Sequence, residues 1–262
     1  MSVTMASRAL SIDPIAGLPE FSAGMSVPAI LARRVRESGG TIGQGDIVVI
    51  AQKIVSKSEG RVVVLADVLP SERALELAAR LGKNPAKVEL ILRESRRILV
   101  AEWPEGKPEG VLICEHRCGF ICANAGVDES NAGGEGLAVL LPENPDGSAE
   151  RIRRGLEEEF EPGIGVIIAD TFGRPWRLGL VNVAIGVSGM PAAVDLRGSR
   201  DADGRLLTGS VIALADEVAA AAGLAMGKSD SLPAVIVRGV QWTGATGCAR
   251  ELIRPEKEDL FR

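Results

Sequence analysis

The chain contains no tyrosine, a single histidine and only 3% aromatic residues. Base stacking therefore has little to draw on. The net charge is -5 with no lysine or arginine stripe, so binding to a phosphate backbone is disfavoured too, and no nucleic-acid partner is expected. One histidine, His116, also makes a Ser-His-Asp or Cys-His nucleophile hard to build. No stretch approaches the ~18 uninterrupted apolar residues of a membrane span, so no membrane partner is expected. The segment 1–8 has no apolar core of signal-peptide length, which gives a cytoplasmic location as the expectation.

What is present is ordinary for a globular protein: 46% apolar and 25% charged residues in 262. A chain of that length can bury roughly three quarters of its unfolded surface, enough for one large domain or two small ones. Cys114, Cys118 and Cys122 cluster around His116, but Cys-x3-Cys-x3-Cys lacks the paired spacing of most structural zinc sites. Together with Cys248 they read as buried or half-buried free thiols.

Residues 12–21 are too punctuated by proline and glycine for a helix and read as an ordered loop. Ile30, Leu31 and Val35 recur at helical spacing up to Gly39-Gly40, and 46–51 is a short apolar strand. The polar segment 52–60, carrying Lys53 and Lys57, is placed to hold an anion, or else its lysines are plain surface charges. Ser71 and Asn84-Pro85 open two helices, with Leu75, Leu77, Leu81 and then Val88, Ile91, Leu92 as core-facing stripes. A strand over 97–102 leads to a turn-rich stretch, 103–110, read as a domain crossing.

The loop 123–134 is dense in small residues and oxygen ligands, including Asp128 and Asn131. A turn made only for turning would use the same residues. Ser148 is expected to cap a charged helix, and Thr208 the longest helix, from Gly209 to about Met226. The segment 222–229 satisfies a loose phosphate-loop pattern. A true one links a strand to the helix that follows, whereas here the helix comes first and the strand 234–237 afterwards, so a P-loop is rejected. Alternating strands and helices indicate an α/β chain of mixed α+β character with an at least partly parallel sheet.

These elements converge on 170–177, Asp-Thr-Phe-Gly-Arg-Pro-Trp-Arg. The apolar run 164–169 reads as a buried strand ending on the carboxylate of Asp170 and the hydroxyl of Thr171. Gly173 and Pro175 then force a turn that carries Arg174 and Arg177 back over the strand end. Such a set suits a metal-bound phosphate. It equally suits an aspartate that caps its turn while both arginines lie in solvent.

With Leu18-Pro19-Glu20-Phe21, the run 53–61, Ala125-Gly126-Val127-Asp128-Glu129-Ser130-Asn131, the run 170–174 and Gly227-Lys228 in this order, the sequence resembles the coenzyme F420-0:gamma-glutamyl ligase family in its stand-alone form. The resemblance extends over nearly the whole chain. It implies a two-domain α/β fold of mixed sheets flanked by helices, with residues 1–105 plus 200–262 as a discontinuous nucleotide-binding core and 106–199 as an inserted metal-binding and dimerisation domain. It implies GTP-dependent addition of L-glutamate to the deazaflavin precursor F420-0, and then further gamma-glutamyl additions, through an acyl phosphate. Mg²⁺ or Mn²⁺, two ions by expectation, would be required, K⁺ would help, and the enzyme would be a homodimer.

Position by position, Asp128, Asp170 and Thr171 match the family's metal ligands. Leu18, Pro19, Glu20, Phe21, Lys57 and Asn131 match its GTP contacts. Gln52 and Lys53 fall in the same nucleotide segment, with Ala51 and Gln52 standing where many relatives carry serine or threonine. Gly227 and Lys228 are further GTP-contact candidates, and Lys57 and Arg174 are the candidates for stabilising charge on the transferring phosphoryl group. Two alternatives remain open: an amide ligase using GTP or ATP on another carboxylate acceptor, and a non-catalytic nucleotide- or metal-binding protein.

Overall fold

The computed structural model describes residues 9–227, 231–242 and 246–259. The chain begins with strand β1 (Ser11–Pro14), where the sequence reads as loop; Pro14 is tolerated because β1 lies at a sheet edge and ends there. Helix α1 (Val27–Glu37) is capped by Ser26 and followed by β2 (Ile47–Ala51). Directly after β2 comes α2 (Gln52–Ser58), so the polar lysine segment is helical. Next are β3 (Val62–Val64), α3 (Glu72–Leu81) and α4 (Pro85–Glu94), the two helices capped by Ser71 and Asn84 as the sequence predicts.

Strands β4 (Ser95–Glu102) and β5 (Val111–His116) pair antiparallel, so 103–110 is a hairpin connection within one sheet rather than a domain crossing. β6 (Ile121–Ala123) extends that sheet, and β7 (Leu137–Val139) pairs with β3. Helix α5 (Pro145–Glu157) starts ahead of Ser148: Asn144 caps it through Gly147 N at 3.0 Å, and Pro145 takes the first helical position. The Ser148 hydroxyl is bonded to Glu59 instead.

The long hairpin of β8 (Gly165–Arg174) and β9 (Arg177–Ser188) follows, then the short pair β10 (Val194–Asp195) and β11 (Val211–Ile212). Helix α6 (Leu214–Met226) begins after β11, because β-branched Val211 and Ile212 take up extended pairing where the sequence predicts helix after Thr208. The last strand is β12 (Ala234–Arg238).

One sheet has the order β1-β12-β2-β8-β9, with β2 and β8 parallel and the other neighbours antiparallel. Ile47, Val48, Val49 and Ile50 are fully buried, as a continuous apolar run requires when a strand is covered on both faces. A second apolar cluster gathers α3, α4, β5 and the segment 125–140. In α3 the core-facing stripe is Ala74, Ala78 and Leu81, because small residues let α3 approach α4, and Leu75 is exposed.

The apolar packing falls into two clusters. β8 and β9 belong to the main sheet with β2, while the second cluster draws on residues from 65 to 140. The clusters are joined through Arg61, which donates to Leu141 O at 3.0 Å in the main core and to Glu94 Oε2 at 2.8 Å at the end of α4.

Candidate active site

The parallel pair of the main sheet, β2 and β8, fixes the site. In register, Ala51 of β2 lies beside Ala169 of β8, so α2 starts from the carboxyl end of β2 level with Asp170, where the parallel pairing stops and β8 runs on with β9; ligands of α/β sheets gather at such ends. Lys53 and Lys57 are four residues apart and share a face of α2. Lys53 Nζ meets Asp128 Oδ2 at 2.6 Å and donates to the Ser130 carbonyl and hydroxyl at 2.8 Å each. Ser130 in turn donates to Asp128 from its amide at 2.9 Å and its hydroxyl at 2.7 Å. Burial pushes the Asp128 carboxyl up, but Lys53 and Ser130 outweigh it and hold the group below its ordinary value. Lys57 is only 7% exposed, and its ammonium is paired with Glu20.

Asp170 and Thr171 are not a strand end. β8 continues through Arg174, held by β9, and alternation turns successive side chains to opposite faces. The Thr171 hydroxyl donates to Asn182 Oδ1 at 3.0 Å, and Asn182 Nδ2 lies 3.7 Å from the Met226 sulfur of α6. Asp170 shares its face with Phe172, whose ring meets Phe120 beside β6. The Cys122 thiol, pushed up to about 12 chiefly by burial, is raised further by the Asp170 charge. The expected pairing of carboxylate and hydroxyl on one turn is therefore corrected: the two side chains point away from each other.

Arg174 is likewise not carried back. It lies four residues beyond Asp170 along the strand, roughly 13 Å at strand rise, and donates to Leu178 O at 3.3 Å near the hairpin tip. Of the other candidates, Phe21 is a core side chain, Leu18 is half-buried, and Pro19 and Glu20 are exposed. Gln52 is buried, with its carboxamide oxygen accepting from Ser56 at 2.7 Å, so its side chain is committed inward. Asn131 is exposed at φ 53°, in a loop that lines a shallow cavity with Glu129 and Gly133 to Leu137. Gly227 ends α6 at φ 60°, which fits a helix stop rather than a phosphate loop. Lys228 lies outside the described residues.

Ser130 and Asn182 are the partners that sequence reasoning passed over. Asp-x-Ser is a recognisable local turn, so Ser130 had a signal, whereas Asn182 reaches Thr171 only through strand register.

No group of three His, Cys, Asp or Glu able to hold a metal occurs among the described residues. Cys114 and Cys122 face each other across β5 and β6, and Cys118 sits in the turn between. For a hard divalent cation the available donors are the carboxylates of Asp128 and Asp170, which fit it chemically. In this structure the Asp128 carboxylate is paired with the Lys53 ammonium at 2.6 Å.

Comparison with known proteins places the chain among ligases. The model of the family described as F420-0:Gamma-glutamyl ligase matches residues 17–239. A coenzyme F420:L-glutamate ligase of Methanothermobacter thermautotrophicus is 44% identical over 97% of this chain and 99% of its own length. Proteins of the same name from Methanocaldococcus jannaschii (46% identical, 84% of this chain and 86% of its own) and Archaeoglobus fulgidus (41%, 97% and 96%) are similar. The chain belongs to the F420-0:gamma-glutamyl ligase family.

Proposed function

We propose that the protein joins L-glutamate to the deazaflavin precursor F420-0, and then to the growing gamma-glutamyl tail, using GTP. The reading rests on the near-full-length match together with one observation: Asp128 sits against Lys53 of α2, and Asp170 follows the register partner of the residue that precedes α2. A carboxylate is inert to amines until activated. A carboxylate oxygen of the acceptor attacks the gamma-phosphorus of GTP and GDP leaves, giving an acyl phosphate. The glutamate amine then attacks the acyl carbon, loses a proton and expels inorganic phosphate.

Asp128 and Asp170 would hold Mg²⁺ or Mn²⁺, which when bound neutralises charge on the phosphates. Lys57, nearly buried and paired with Glu20 in this structure, would supply fixed positive charge to the transferring group. Lys53 keeps Asp128 ionised and in place until the site is filled. Arg174, the second candidate for supplying charge to the transferring group, would have to reach the site from the hairpin tip, where it donates to Leu178 O. Mass spectrometry of F420-0 after incubation with enzyme, GTP, Mn²⁺ and glutamate is expected to show glutamyl adducts. Adducts on other carboxylates but not on F420-0 would favour the different-acceptor reading.

Lys57 and Lys228 rank differently as nucleotide contacts. Lys57 is on the site helix, whereas Lys228 follows a helix end, so Lys57→Ala is expected to weaken GTP binding more than Lys228→Ala. Calorimetric titrations with the reverse ranking would contradict this.

The hairpin tip supports a homodimer as part of the same reading. Leu178 is 99% exposed, Trp176 86% and Leu180 62%, a cluster of large apolar side chains that a second copy would cover. Leu178→Lys is expected to shift the protein from dimer to monomer in sedimentation. An unchanged dimer would place the interface elsewhere.

A further inference from the structure

A second cavity, of about 220 Å³, opens on the Asp170 side of the hairpin, walled by Phe120, Ile121, Phe172, Val183, Leu252 and Ile253. Four separate parts of the chain build it: the turn into β6, the β8–β9 hairpin, Asp216 in the first turn of α6 and the segment 249–259. Its position is tied to the candidate site by strand geometry. Phe172 lies two residues from Asp170 on the same face, roughly 7 Å along the strand, and Val183 is the cross-strand partner of Asp170. Phe120 and Phe172 meet edge-to-face with centroids 6.4 Å apart at 65°, in a chain that has only five phenylalanines. Arg254 is the one cation among the lining residues, and Asp216, held by the Ala184 amide at 2.8 Å, and Asp259 are its anions.

We propose that this cavity holds the planar deazaflavin ring of the acceptor, with the carboxylate arm running past Phe172 to Asp170. The inference rests on the proposed function and adds to it where the acceptor lies. Aromatic and branched apolar walls suit a flat heteroaromatic ring, which gains by edge and face contacts with phenylalanine. Free glutamate fits poorly, since its two carboxylates would be desolvated against six apolar side chains with a single guanidinium to compensate. The guanine base is planar too, but the residues that match the family's GTP contacts lie around Leu18–Phe21, Lys57 and Asn131, and none of them lines this cavity. The Arg254 guanidinium supplies the counter-charge for an anionic arm leaving the ring.

The test uses the full chain and three measurements. A deazaflavin fragment carrying the ring but no carboxylate arm is titrated against the wild type by its fluorescence, and binding is expected without GTP. Ile253→Lys, which puts a charge into the wall from the C-terminal segment, is expected to abolish that binding and raise KM for F420-0 at least tenfold. KM for GTP and glutamate should stay within twofold. Phe172→Leu, which keeps the bulk and loses the aromatic face, should raise the same KM severalfold and covers the case in which the lysine variant does not fold. Failure of the wild type to bind the ring fragment, an unchanged F420-0 KM in Phe172→Leu, or a rise in glutamate KM instead would each overturn the assignment. Absence of F420-0 ligation by the wild type would count against the proposed function itself, and the ring titration reports on the cavity separately from it.

Discussion

Asp170→Asn is expected to abolish glutamate ligation while leaving the thermal midpoint nearly unchanged. Asparagine keeps the size and most of the hydrogen bonding of aspartate but not the charge that a hard divalent cation prefers. The backbone at 170 is paired with Val183 of β9, so the strand is held there by main-chain bonds that the substitution keeps. Asp128→Asn should have the same effect for a related reason: it removes both the carboxylate and the anchor for Lys53. If the two carboxylates serve one catalytic unit, the double variant should be hardly worse than either single one. A readout apart from turnover is Mn²⁺ titration followed by its paramagnetic signal, where each single variant should lose at least one bound ion. An Asp170→Asn protein with near-normal ligation and Mn²⁺ binding would remove the site assignment.

The second large effect concerns stability. Glu94 is 5% exposed and meets Arg61 at 2.8 Å, Arg117 at 3.0 Å and His116 Nε2 at 3.4 Å. The Cys118 amide donates to His116 Nδ1 at 3.0 Å, which leaves Nε2 as the protonated nitrogen facing Glu94. Burial alone would raise the Glu94 carboxyl, but His116 and the arginines hold it at about 2 against an ordinary 4.5. Since the folded-state value is depressed, the stabilisation is complete above pH 4.5 and is lost as the pH falls through that value towards 2. Glu94→Gln leaves Arg61 without its buried counter-ion and should cost about 3–5 kcal/mol at neutral pH. The variant's stability should also be flatter across the acid range. Urea unfolding at pH 7 and pH 3.5 measures both; a loss below about 1 kcal/mol would mean that this network does not join the two apolar clusters.

Much of the frame was legible locally. The continuous apolar runs of β2, β8 and β12 announce buried strands, and Ser71 and Asn84-Pro85 announce helix starts, because these signals act within a few residues. What could not be read depends on distant partners. Asp170 to Gly173 stay extended because β9 pairs with them, so the turn that Gly173 and Pro175 signal falls at Pro175-Trp176, and Arg174 goes out to the hairpin tip with it. Helix start signals also compete: Ser148 and Thr208 are good caps by type, but Asn144-Pro145 lies upstream of the first, and β11 pairing claims the residues after the second. Of the candidate site, the lysines, Asp128 and Asp170 were identifiable by type and order. That α2 starts level with Asp170 is a product of the parallel β2–β8 register, and that Lys53 meets Asp128 depends on a loop far away in the chain; no local pattern encodes either.

The central claim is that GTP activates the acceptor's own carboxylate before glutamate attacks. It is tested most directly by supplying F420-0 labelled with ¹⁸O in that carboxylate, together with GTP, Mn²⁺ and glutamate, and analysing the phosphate released. An acyl phosphate hands one carboxylate oxygen to the departing phosphate, so the account predicts one ¹⁸O in inorganic phosphate for each amide formed. Amide formation with unlabelled phosphate would contradict it.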